Sequence, residues 1–173
     1  MKEAKAVDAA DSAAVLGPVQ SARQARRIGP FHKDATSRPS SSTSLTTVET
    51  ITVPANALGA NGALRLTLTF QSIGGSSSKE FYILWNGSAV VSHVAPSSHI
   101  GASRMEMLLT NDGGASSQEI AGRYENETPT INLTRSTPSA DTTSDVDIEV
   151  KVRAGGTDGI TLNLSVAEFI GTN

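Results

Sequence analysis

The chain has 173 residues, a formal net charge of −3, 18% charged side chains and no cysteine. That length holds one ordinary domain with an extension. The missing cysteines exclude disulfides and thiolate metal sites, and the acidic balance argues against a specific nucleic-acid partner. No apolar run approaches the ~20 residues of a membrane helix, so no membrane partner is expected.

In chain order, Lys2 to Leu16 is rich in good helix formers, but its apolar face is mostly alanine, too small to hold a short helix in water by itself. It also lacks the apolar block of a signal peptide. Gly17 and Pro18 break it, a second short helix is predicted over Val19 to Ile28, and Gly29-Pro30 ends that one. Arg23, Arg26 and Arg27 fall three and four residues apart, so they share one helical face. Such a face is either solvated or a contact for an acidic protein surface or packaged nucleic acid. Residues 1–35 are read as an arm that either stays disordered or orders on a partner. Residues 36–46, a Ser/Thr tract around Pro39, are read as a linker.

From residue 47 to 173 the pattern is short strands separated by turns. Leu64, Leu66, Leu68 and Phe70 alternate with Arg65, Thr67, Thr69 and Gln71, one apolar and one polar face. Val146, Ile148, Val150 and Val152 alternate with charged residues, and Ile160, Leu162, Leu164 and Val166 with Thr161, Asn163 and Ser165. Asn86-Gly87 is a hairpin turn. Eight or nine strands without a helix predict an all-β, antiparallel, jelly-roll-like sandwich.

One strand breaks the alternation. Phe81, Ile83 and Trp85 point one way and Tyr82 and Leu84 the other. A strand apolar on both faces is either a central strand covered on both sides or one whose outer face meets another subunit, so Phe81, Tyr82, Ile83 and Trp85 are a candidate subunit interface.

Chemistry-bearing constellations are sparse. His93 and His99 have no metal-ligand spacing, and Asp145, Asp147 and Glu149 recur at spacing two as a solvated strand face. Gly74-Gly75-Ser76-Ser77-Ser78-Lys79 lacks the glycine before the lysine and the following helix of a phosphate loop. No cofactor, metal or catalytic residue is predicted, and the chain reads as a non-enzyme.

The run Ile51 to Arg65, with Pro54-Ala55-Asn56, Leu58-Gly59, Asn61-Gly62 and Leu64-Arg65, resembles a small β-sandwich domain of tailed-bacteriophage virion proteins. A later Asn-Gly hairpin and an arginine-led strand, Ser103-Arg104-Met105-Glu106, fit the same pattern. The resemblance covers roughly residues 45–173. It implies a virion component, trimeric in many such proteins, held to capsid, portal or tail proteins through the arm. The first expectation is a head fibre or decoration protein that displays the sandwich on the particle. The alternative is a tail-fibre or adhesin module for host cell-surface polysaccharide, with Trp85, Tyr82 and Tyr124 as stacking platforms.

Overall fold

The computed structural model describes residues 29–126 and 132–170, all of it strand, turn or loop. The two expected helices and Arg23, Arg26 and Arg27 lie outside the described residues. Eleven strands follow in order: β1 (Gly29–Asp34), β2 (Arg38–Ser40), β3 (Thr46–Val53), β4 (Ala63–Ile73), β5 (Lys79–Trp85), β6 (Ser88–Ala95), β7 (Gly101–Asn111), β8 (Gln118–Asn126), β9 (Asn132–Ser136), β10 (Val146–Ala154) and β11 (Gly159–Phe169).

Seven strands form one antiparallel sheet, ordered β1-β11-β4-β7-β8-β9, with β2 also pairing β11. The other four form a second sheet, β3-β10-β5-β6. The pairings are nested: β5 with β6, β4 with β7, β3 with β10, and β1 and β2 with β11. A long hairpin rolled up in this way is a jelly roll, and β8 and β9 extend its larger sheet.

The core lies between the two sheets. Leu64, Leu66, Leu68 and Phe70 from β4 meet Ile148, Val150 and Val152 from β10, all essentially without exposure. Phe81 packs edge-on against Phe70 at 5.0 Å and tilted against Tyr124 at 5.5 Å, separations favourable for aromatic pairs. At Asn86-Gly87 both φ values are positive, 48° and 75°, as the expected hairpin turn demands.

Three expectations change. First, β1 and β2 arise from the expected arm and linker, so the sandwich takes in residues from Gly29 rather than from residue 47. Phe31 stacks on Phe169 at 4.4 Å and fastens this strap to β11. Second, β11 carries a bulge between Leu162 and Leu164. An extra residue reverses the facing of everything after it. Ser165, Ala167 and Phe169 therefore point inward, while Leu164 and Val166 are only half-buried.

Third, Phe81, Ile83 and Trp85 are enclosed by the chain's own core and cannot meet another subunit. Of the candidate interface only Tyr82 lies on the outer face, half-buried. Its hydroxyl donates to Glu80 Oε2 at 3.1 Å, and Arg153 pairs with Glu80. Glu149 and Lys151 of β10, paired at 3.3 Å, lie opposite Leu84 and Tyr82. Long side chains can cover apolar neighbours with their stems while their charges stay in water. The outer face of β5 is thus shielded within the chain.

Candidate functional site: the outer face of the larger sheet

The expected stacking platforms are not available together. Trp85 and Tyr124 are 1% exposed, inside the core, and Tyr82 is on the smaller sheet. His93 faces inward and stacks on Tyr124 at 3.7 Å. Burial, then the charge of nearby His99, pushes the His93 pKa down. The two histidines therefore do approach each other, but among the described residues no group of three His, Asp or Glu side chains is placed to hold a metal ion.

The Gly74–Lys79 loop does cradle an anion, one supplied by the chain itself. Asp158 accepts the backbone N–H of Ser76 (3.1 Å) and of Ser77 (2.8 Å), both serine hydroxyls, and Lys79 Nζ at 3.0 Å. Gly74 is needed here, at φ +74°, because a Cβ would sit 2.3 Å from Asp158 Oδ1. Burial pushes the Asp158 pKa up, but the hydrogen bonds from Ser76, Lys79 and Ser77 outweigh it and hold the carboxyl well below the usual range. The loop is filled, and it clamps one end of the sandwich.

On the strap, His32 Nε2 is 2.9 Å from Ser165 Oγ, which donates to Glu49 Oε2 at 3.2 Å. The serine stands between the histidine and the carboxylate, whereas a nucleophile relay needs the histidine in the middle. Since Ser165 spends its proton on Glu49, His32 must donate. Arg38 bridges Glu49 and Asp34, so the whole chain of contacts acts as a latch.

That leaves the open outer face of β4, β7 and β8. Antiparallel register sets its side chains in rows: Thr69, Arg104 and Glu125; Thr67, Glu106 and Arg123; Arg65, Leu108 and Ala121. Among the described residues, the ion pairs Arg65–Glu168, Arg104–Glu106, Arg123–Glu125 and Arg135–Glu119 lie on this face. Two depressions lie along the strands. One, of about 310 Å³, is bordered by Thr69, Ala102, Ser103, Arg104, Glu125 and Asn126. The other, of about 260 Å³, is bordered mainly by Arg65, Glu106, Leu108, Ala121 and Arg123.

Donors and acceptors alternate there at strand spacing beside a short apolar strip, where Leu108 is 40% exposed. Charged groups make the stronger hydrogen bonds. Sequence reasoning did not single out these residues as a site. The available signal was opposite charges two apart, Arg104 with Glu106 and Arg123 with Glu125, on strands whose alternate positions are apolar.

No family model matches the chain, and no curated protein matches it. Among solved structures, the CBM2 module of the evolved Dit of Lactobacillus casei BL23 phage J-1 is similar at 13% identity and a TM-score of 0.45, over 79% of this chain and 76% of that one. The carbohydrate-binding module CBM36 in complex with calcium and xylotriose aligns at 10% identity and 0.35, over 83% and 92%. Lectin II from Ulex europaeus aligns at 10% and 0.38, over 83% and 95%.

Proposed function

We propose that the chain is a non-catalytic glycan-binding module of a tailed-phage virion, which holds host cell-surface polysaccharide on the outer face of its seven-stranded sheet. The observation that carries this is the pair of depressions lying end to end on an open face lined by Arg/Glu pairs. A sugar ring has hydroxyls that both donate and accept, and C–H faces that are apolar. Alternating guanidinium and carboxylate groups beside Leu108 and Ala121 complement both features. An open trough also lets a polymer leave at either end, as a closed pocket would not.

This places the adhesin reading ahead of the head-decoration reading, because a display protein needs no structured outer face. The two share their attachment. Gly29 pairs with Phe169, so the chain enters the sandwich beside its last strand, at the end opposite the Asp158 clamp. In this reading, residues 1–28 bind another virion protein there, with Arg23, Arg26 and Arg27 as the contact. The trimer implied by the family resemblance would have to use a surface other than the core residues Phe81, Ile83 and Trp85.

The test is binding of the labelled full-length chain to host cells. Binding that is abolished by stripping surface polysaccharide, and by Arg65→Ala combined with Arg123→Ala, supports the reading. Binding indifferent to both treatments would overturn it.

A further inference from the structure

We infer that the two depressions are coupled subsites for one strand of a neutral, linear glycan, and that the pairs Arg104–Glu106 and Arg123–Glu125 couple them. The inference rests on the glycan reading above and adds the charge and length of the ligand and the cooperativity of its binding.

Each ion pair joins a residue that borders one depression to a residue that borders the other. Arg104 and Glu125 border the first, Glu106 and Arg123 the second. In-strand pairing joins Arg104 to Glu106 and Arg123 to Glu125. Cross-strand register sets Arg104 opposite Glu125 and Glu106 opposite Arg123. The four charges thus form a square in which every member has two neighbours of opposite sign.

A hydroxyl that enters the first depression and accepts from Arg104 competes with Glu106 for that guanidinium. Arg104 turns toward Glu125, and Glu106 is freed to accept from a ring in the second depression. Filling one depression therefore prepares the other, and by linkage the coupling is reciprocal.

The length follows from the strands. Arg104 and Leu108 are four residues apart on β7, about 13 Å at the strand rise of ~3.3 Å per residue, so an oligosaccharide lying along β7 reaches both sites and a monosaccharide does not. The charge follows from the balance. A polyanion drawn by the arginines would also be pressed against Glu106 and Glu125, and like charges set together are unfavourable. A neutral chain meets no such conflict.

The test is calorimetry on the full-length chain with neutral monosaccharides, disaccharides and hexasaccharides cut from host surface polysaccharide, with polygalacturonate as the polyanion. The arginine side-chain N–H signals are followed by NMR. The hexasaccharide should bind about tenfold or more tighter than the monosaccharide, and its affinity should change less than about twofold from low to high salt. Arg104→Gln should weaken it about tenfold and also diminish the response of Arg123 in the other depression. Arg135→Gln, on the same face but outside both depressions, should do neither. Equal affinity for monosaccharide and hexasaccharide, or an Arg123 response untouched by Arg104→Gln, would overturn the coupling. Binding of the polyanion alone would overturn the ligand class while leaving a glycan-binding module. No binding to any saccharide would remove the glycan reading and this inference with it.

Discussion

Lys79 Nζ lies 3.0 Å from Asp158 Oδ2, and neither side chain has any solvent exposure. Lys79 also donates to the carbonyls of Gly74 at 2.7 Å and Ser77 at 3.2 Å. The pair therefore ties the β4–β5 loop to the β10–β11 loop with its hydrogen bonds satisfied. Removing one partner leaves a buried charge alone, whereas replacing both with apolar groups need not destabilise. Lys79→Met should lower Tm by roughly 10 °C. Lys79→Met with Asp158→Asn should recover part of that loss, because the amide oxygen still accepts from Ser76 and Ser77 and no charge is left unpaired. Differential scanning calorimetry of the two variants checks both expectations.

The same carboxylate contributes to the acid limb of stability. Its folded-state pKa lies below the ordinary 3.8, so its contribution is complete above about pH 4 and is lost as the pH falls toward the folded value. The Tm difference between the native protein and Asp158→Asn should shrink below pH 4.

His93 acts at milder pH. Its pKa is pushed below 6.5, chiefly by burial, so as the pH falls the unfolded chain takes up its proton first. Stability should decline as the pH falls through and below 6.5. His93→Phe, which can keep a ring against Tyr124, should remove that slope in urea titrations.

The Leu58 to Gly62 segment separates two uses of glycine. Gly59 has φ +64° with open space around it, whereas a Cβ on Gly62 would lie 1.6 Å from the Leu58 carbonyl oxygen. Gly59→Ala should cost about 1 kcal/mol for the left-handed backbone alone. Gly62→Ala must move the turn that seats Leu58 in the core, and should lower the denaturation midpoint much further.

The strap latch is open to hydrogen exchange. Asp34 is held at about 2 by hydrogen bonds from Thr36 and then Arg38, and Arg38 also reaches Glu49. Arg38→Ala should speed exchange over residues 29–40 severalfold while amides of β4 and β7 keep their protection. Uniform acceleration throughout the sandwich would contradict a local latch.

How much of this was legible follows from how local each cause is. The alternation of Leu64 to Phe70 and of Val146 to Val152 carries its own strand signal, and so does Asn86-Gly87. The strap was missed because β1 and β2 are short and their partner β11 lies more than a hundred residues away. The inward turn of Ser165 was missed because a bulge adds a residue without marking the sequence. The strand with two apolar faces fits a covered central strand and a subunit interface alike, because the residues that cover it, Glu149, Lys151 and Arg153, are distant in the chain. The serine-rich loop showed its capacity to hold an anion, but only the fold identifies that anion as Asp158. The candidate site was hidden for a related reason: Arg104 and Glu125 become neighbours only through the register of β7 on β8.

Glycan binding on the larger sheet is tested most directly by NMR mapping of the full-length chain titrated with purified host surface polysaccharide. Perturbations should be confined to the outward residues of β4, β7 and β8, led by Arg65, Thr69, Arg104, Leu108 and Arg123. Perturbations centred on the smaller sheet, or none at saturating polysaccharide, would contradict it.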